Sequence, residues 1–179
     1  MVNINKNNLH SFFHYYGLEH LMVNLYHYIK NSNTNNEKIY LSVEKSLYNS
    51  LFNKLTAEGI SKRLLVHYPI DELVLQYSKK GKNGLRNKII EQEKLNKSNK
   101  IKWIGKVDYA IKKTSKKLFL KFEEELTEVL KGTNSSVLCV YDFEDFINHQ
   151  QFIDNEIIKK ANNTHPYQMY QFSFKKTDN

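Results

Sequence analysis

The sequence predicts an α/β layer fold, with a mostly parallel central sheet flanked by helices, and three observations carry that expectation. Segments of strand length alternate with segments of helical period from end to end, the pattern of strands joined by right-handed crossover helices. Two of the strand-like runs, KRLLVHY (62–68) and SVLCVYD (136–142), are continuously apolar at their centres, as strands covered on both faces are. No internal repeat and no long linker divides the 179 residues, so residues 1–179 read as one domain of ordinary size.

The elements follow in order. LHSFFHYY, Leu9 to Tyr16, is rich in aromatics and reads as a strand broken by Gly17. Leu18, Leu21, Met22, Leu25, Tyr26 and Ile29 then recur at the spacing of one apolar helix face. NSNTNNE (31–37) is a polar loop, and KIYLSV (38–43) is the second strand. Leu47, Leu51, Leu55 and Ala57 mark a second helix, which Gly59 can close in the left-handed conformation. KRLLVHY is the third strand, ended by Pro69.

A short helical piece around 71–77 leads into KKGKNG (79–84), read as a flexible basic loop, and then into a helix from about Leu85 to Asn96. IKWIGKV (101–107) is the fourth strand. Phe119, Phe122, Leu126, Val129 and Leu130 line a long helix that ends before Gly132, with Glu123, Glu124, Glu125 and Glu128 assigned to its exposed face. After the strand SVLCVYD, FEDFINHQQFIDNEIIKKANN (143–163) is helical in two pieces, and Pro166 opens a last strand through YQMYQFSF (167–174).

Composition narrows the function classes. With 40% hydrophobic, 13% aromatic and 26% charged residues but only 6 Gly and 2 Pro, the chain is globular. The single cysteine, Cys139, rules out an intramolecular disulfide and a cysteine-based zinc cage. No apolar run approaches a membrane span, and MVNINKNNLH lacks the pattern of a secretory signal. A soluble, cytoplasmic protein without membrane insertion is expected. The net charge of +8 is local: residues 79–121 hold 15 Lys/Arg against 3 Asp/Glu, so the remainder is net −4. Only Arg63 and Arg86 are arginines, whereas base-edge and bidentate phosphate recognition favour the guanidinium. A solvated lysine face is therefore preferred over nucleic-acid binding, which stays as the alternative.

In a sheet of this kind ligands gather beyond the carboxyl ends of the strands. Those ends offer Tyr15, Tyr68, Gly105, Asp108, Tyr141 and Asp142, with Trp103 on the fourth strand, and aromatic walls with a few polar groups suit a small molecule. Asp142 terminates its strand as a magnesium-holding carboxylate would, yet neither GxxxxGK[ST] nor GxGxxG occurs. Nucleotide turnover is not expected, and a helix-capping role for Asp142 is the competing reading. His10, His14, His20 and His27 fall on one strand and helix with no carboxylate at ligand spacing, so the histidines are expected at the surface or half buried and no metal is expected. Cys139 lies mid-strand between Leu138 and Val140, where a cysteine acts as a small hydrophobe.

The second half carries a pattern: IKWIGKVDYA, LFLKFEEELTEVL, SSVLCVYDFEDF and NNTHPYQM. Its marks are a strand with Gly105 ahead of Asp108, Phe122 followed by Glu123 on a helix, the strand LCVYD, and His165 before Pro166. In this it resembles the MEDS domain, the sensory domain of methanogen and methylotroph regulators that include the dichloromethane-responsive repressor. The upstream elements keep the expected order, so the resemblance spans nearly the whole chain. It implies a three-layer α/β fold with a RecA/KaiC-like core without a functional phosphate loop, and sensing rather than catalysis, with no catalytic residue and no cofactor. Glu123 and His165 join the ligand-binding candidates on this ground. No helix-turn-helix or kinase module is visible in the sequence. The expected partners are a small-molecule ligand and a protein such as a kinase or transcription regulator, with a homodimer left open.

Overall fold

The computed structural model describes residues 8–33, 37–96 and 100–177. One sheet is built from β1 (His10–Tyr15), β2 (Lys38–Ser42), β3 (Leu65–His67), β4 (Ile101–Lys106), β5 (Ser135–Asp142), β6 (Tyr167–Tyr170) and β7 (Ser173–Lys176). Its order is β3-β2-β4-β5-β1-β6-β7. All neighbours run parallel except β6 and β7, which form an antiparallel hairpin. The helices are α1 (Gly17–Asn33), α2 (Lys45–Ala57), α3 (Ile70–Leu95), α4 (Val107–Lys113), α5 (Lys116–Leu130) and α6 (Asn155–Thr164), with one π turn at Asp145–His149.

Period-two alternation splits the strand side chains between two apolar layers. Leu41, Ile104, Leu138 and Val140 pack with Leu21 and Leu25 of α1 and Leu51 and Leu55 of α2. Tyr40, Trp103, Val137 and Cys139 pack with Leu85 and Ile89 of α3, Ala110 of α4, Phe122 and Leu126 of α5, and Ile157 of α6. Helices thus cover both faces of a mostly parallel sheet, as the alternation predicts. Among the described residues no helix is long and apolar enough to cross a membrane.

Several local expectations are corrected. KKGKNG is not a loop: it lies inside α3, where Gly81 alone departs from helical geometry (φ 60°, ψ −155°) and kinks the helix. Both halves stay helical because each buries an apolar pair, Leu73 and Val74 before the kink and Leu85 and Ile89 after it. The third strand is only Leu65–His67, with Lys62 to Leu64 in a turn, and it is not buried on both faces. It is an edge strand paired to β2 alone, so Val66 and His67 remain half buried. The last strand breaks in two at Gln171 and Phe172, whose positive φ values of 44° and 62° turn the chain back. Glu123 is not on the exposed face of α5, being 0% exposed. The polar loop placed at 31–37 falls partly on α1, which continues to Asn33, and partly outside the described residues.

Helix α5 positions the site described below, and its start is fixed locally. Ser115 Oγ accepts a hydrogen bond from the Leu118 amide at 3.2 Å, satisfying one N–H that the first turn leaves open. Replacing Ser115 by Ala is expected to cost about 1 kcal/mol in urea denaturation, and Ser115→Asp to restore most of it.

Candidate functional site

Trp103 and Gly105 on β4, Val137 and Cys139 on β5, and Phe119, Phe122, Glu123 and Leu126 on α5 surround a small cavity of about 30 Å³. It lies between the sheet and the layer of α3, α4 and α5, with Ile89, Val107 and Ala110 closing it. Its walls are almost wholly apolar because inward positions of parallel strands and the apolar stripe of α5 meet there. Trp103 is held edge-on to two tyrosine rings, Tyr40 at 4.6 Å and Tyr68 at 5.1 Å between centroids. Those two stack on each other at 5.2 Å. The buried indole N–H of Trp103 has no hydrogen-bond partner among the described residues. A methyl group built on Gly105 would meet nothing within 4 Å, so there is free space above that strand position.

Polar groups collect at one edge of the cavity. Glu123 Oε1 lies 3.2 Å from His10 Nε2 and 2.8 Å from His165 Nε2, and it accepts a hydrogen bond from Tyr141 Oη at 3.3 Å. Cys139 Sγ is 3.8 Å from Glu123 Oε2 and 3.7 Å from His10 Nε2. The parallel pairing of β1 with β5 sets Phe12 opposite Cys139 and so brings His10 to this face. Burial lowers the His10 pKa to about 4, helped by the charge of His165. Burial opposes ionisation of Glu123, but His165 and His10 outweigh it and hold the carboxyl well below its usual range. Burial and the Glu123 charge push the Cys139 thiol up.

A second polar group sits at the strand ends. Lys106 Nζ bridges Glu44 Oε1 at 2.9 Å and Asp108 Oδ2 at 2.7 Å, and Lys112 reaches Asp108 at 3.2 Å. Tyr15 Oη donates to Asp142 Oδ2 at 3.0 Å, while Asp142 Oδ1 accepts from the amides of Glu144 and Asp145. Asp142 therefore caps the turn that follows β5.

The residues expected to form one cleft divide into three neighbourhoods. Trp103, Gly105 and Glu123 line the cavity, with Tyr68 packed behind Trp103. Tyr141 and His165 belong to the cluster around Glu123. Tyr15, Asp108 and Asp142 hold strand-end hydrogen bonds and ion pairs. Histidines expected at the surface or half buried include two that are fully enclosed, His10 at 1% and His165 at 0% exposure. His10 and Cys139 were the members of this region that sequence reasoning set aside. Cys139 is indeed buried, yet its neighbours are a carboxylate and an imidazole as well as aliphatic carbon.

A family model described as MEDS, the MEthanogen/methylotroph, DcmR Sensory domain, matches residues 9–166. No curated protein is similar enough in sequence to match the chain.

Proposed function

Because the chain belongs to the MEDS sensory-domain family, we propose that it is a non-catalytic sensor whose cavity beside Trp103 takes a small, largely apolar molecule with one hydrogen-bond acceptor. The cavity carries this reading. Its volume of about 30 Å³ corresponds to about two or three non-hydrogen atoms, since one water-sized sphere takes roughly 10–15 Å³ on this measure. Its walls favour carbon, and an acceptor brought by the ligand would satisfy the otherwise unpartnered Trp103 N–H. The missing glycine-rich phosphate motifs support a RecA/KaiC-like core put to sensing rather than to nucleotide turnover. Occupancy of the cavity is read out by a protein partner, of the kinase or transcription-regulator kind.

The lysine-rich segment gives the nucleic-acid alternative less support. Lys82, Lys88, Lys102, Lys106, Lys112 and Lys116 each lie 2.6 to 3.3 Å from a carboxylate. Six of the 15 cations of the segment are thus paired, with carboxylates of the segment itself (Glu91, Asp108) or of the remainder of the protein (Glu37, Glu125, Glu156).

Trp103 is the only tryptophan, so its fluorescence tests the proposal. Titration with methanol, ethanol and acetonitrile, acceptors of about two or three non-hydrogen atoms, is expected to give a saturable change, stronger than with hydrocarbons of equal size. Gly105→Ala should leave stability unchanged or raise it by up to about 1 kcal/mol, because its methyl meets open space on a strand. The same methyl occupies ligand volume and should weaken binding roughly tenfold. Absence of saturable binding, or equal binding by Gly105→Ala, would overturn the assignment of the cavity.

A further inference from the structure

We infer that the enclosed polar cluster at the edge of the cavity, His10, Glu123, Cys139 and His165, forms a site for one divalent transition-metal ion, zinc being the best match. The four side chains come from β1, α5, β5 and the junction after α6, and all are buried. Their donor atoms lie within 4.8 Å of one another. Zinc at about 2.0–2.1 Å from nitrogen and oxygen and about 2.3 Å from sulfur requires tetrahedral donors about 3.3–3.6 Å apart. The separations of 2.8 and 3.2 Å from the two imidazoles to Glu123 Oε1 and of 3.7 Å from Cys139 Sγ to His10 Nε2 lie to either side of that range, and with the whole set within 4.8 Å side-chain shifts of about an ångström would close the shell.

Hydrogen-bond accounting points the same way. Thr127 Oγ1 donates its proton to the Thr164 carbonyl at 2.9 Å, so at 2.7 Å it can only accept from His10 Nδ1. His165 Nδ1 lies 2.8 Å from the Ala161 carbonyl, which likewise only accepts. Both rings are therefore fixed with the proton on Nδ1, and each turns Nε2 toward the carboxylate. This is the outer arrangement that orients metal-bound histidines. His165 Nε2 is fully buried and makes no hydrogen bond among the described residues, although Glu123 Oε1 is only 2.8 Å away. At that nitrogen the distance is short but the direction does not suit a hydrogen bond. Where an imidazole is neutral its Nε2 lone pair faces the oxygens of Glu123; a proton on that nitrogen relieves the conflict for one ring, and a cation between them relieves it for all four groups at once.

The donor chemistry selects among cations. One sulfur and two imidazole nitrogens disfavour magnesium and calcium, which prefer all-oxygen shells, and a compact tetrahedral S, N, N, O set suits zinc. Tyr141 Oη steadies the carboxylate at 3.3 Å. Glu123 and Cys139 also line the apolar cavity, so the ion would border the space assigned to the small molecule.

The test uses the full chain with no small molecule added, so its outcome is separable from that of the sensor reading. Elemental analysis after purification without metal supplementation is expected to find one zinc per chain. Chelation should lower the melting temperature, and zinc but not magnesium should restore it. Cobalt(II) added to the stripped protein should give the visible bands of a tetrahedral site with a sulfur-to-cobalt charge-transfer band, which Cys139→Ser should lose. Thr127→Val, which supplies no ligand atom, should weaken metal affinity by roughly 10–100-fold through loss of the His10 orienter. A folded wild-type chain that carries no metal and takes up no cobalt would overturn the inference, as would a cobalt spectrum unchanged by Cys139→Ser. Should a variant fail to fold, the wild-type metal content and cobalt spectrum decide alone.

Discussion

Glu123→Ala is expected to destabilise the protein by about 3–5 kcal/mol in urea denaturation followed by circular dichroism, the cost of removing one member of a buried ionic cluster. Glu123 is 0% exposed and faces His10, His165, Tyr141 and Cys139 within 3.8 Å. Truncation leaves those polar atoms facing a void that the packed α5–β5 layer cannot close. Glu123→Gln keeps the volume and one acceptor oxygen, so it should lose less than the alanine variant. Glu124→Ala, one residue along, removes only a 3.6 Å contact from a carboxylate that is 63% exposed, and should stay within about 0.5 kcal/mol of wild type. A Glu123→Ala loss no larger than that of Glu124→Ala would contradict the enclosure of the cluster.

Trp103→Ala should cost a similar amount, about 3–5 kcal/mol, by a different cause. Trp103 is 3% exposed on a central strand and supports the Tyr40–Tyr68 stack. Its removal opens space beside a cavity already present, and the two tyrosines lose the edge they pack against. Its N–H has no partner among the described residues, so Trp103→Phe forfeits no hydrogen bond and should cost less. For binding the ranking differs: Trp103→Phe should still impair methanol, ethanol and acetonitrile, because the proposed donor is gone. A loss under about 1 kcal/mol for Trp103→Ala would show that the aromatic layer is not close-packed.

Much of the sheet was legible because its signal is local. SVLCVYD became β5, its uninterrupted apolar run suiting a strand covered on both faces, and IKWIGK became β4, with Ile101, Trp103 and Ile104 buried between the lysines. The end of α2 was legible for the same reason, with Gly59 at φ 82° where a closing glycine was expected. Where neighbours decide, the sequence was silent or misleading. Glycines at 81 and 84 suggested a loop, but tertiary burial of Leu73 and Leu85 holds both sides helical. The run Glu123 to Glu125 looked like a solvated face, although Glu123 sits four residues after Phe119 and three before Leu126, on the buried stripe. That spacing was available and would have flagged it. The approach of His10 to Cys139 and Glu123 was not available, because it depends on β1 lying beside β5, 127 residues away in register at Tyr15 and Asp142.

The two ends of the sheet are short, and that bears on aggregation. An open sheet edge is a template for another chain, and long flat edges lead toward fibres. Here one end is β3, three residues long, and the other is β7, four residues ending in the exposed Lys175 and Lys176. Neither offers more than about two ladder rungs, and the lysines repel an identical edge. Continuing the sheet from molecule to molecule is therefore disfavoured at both ends.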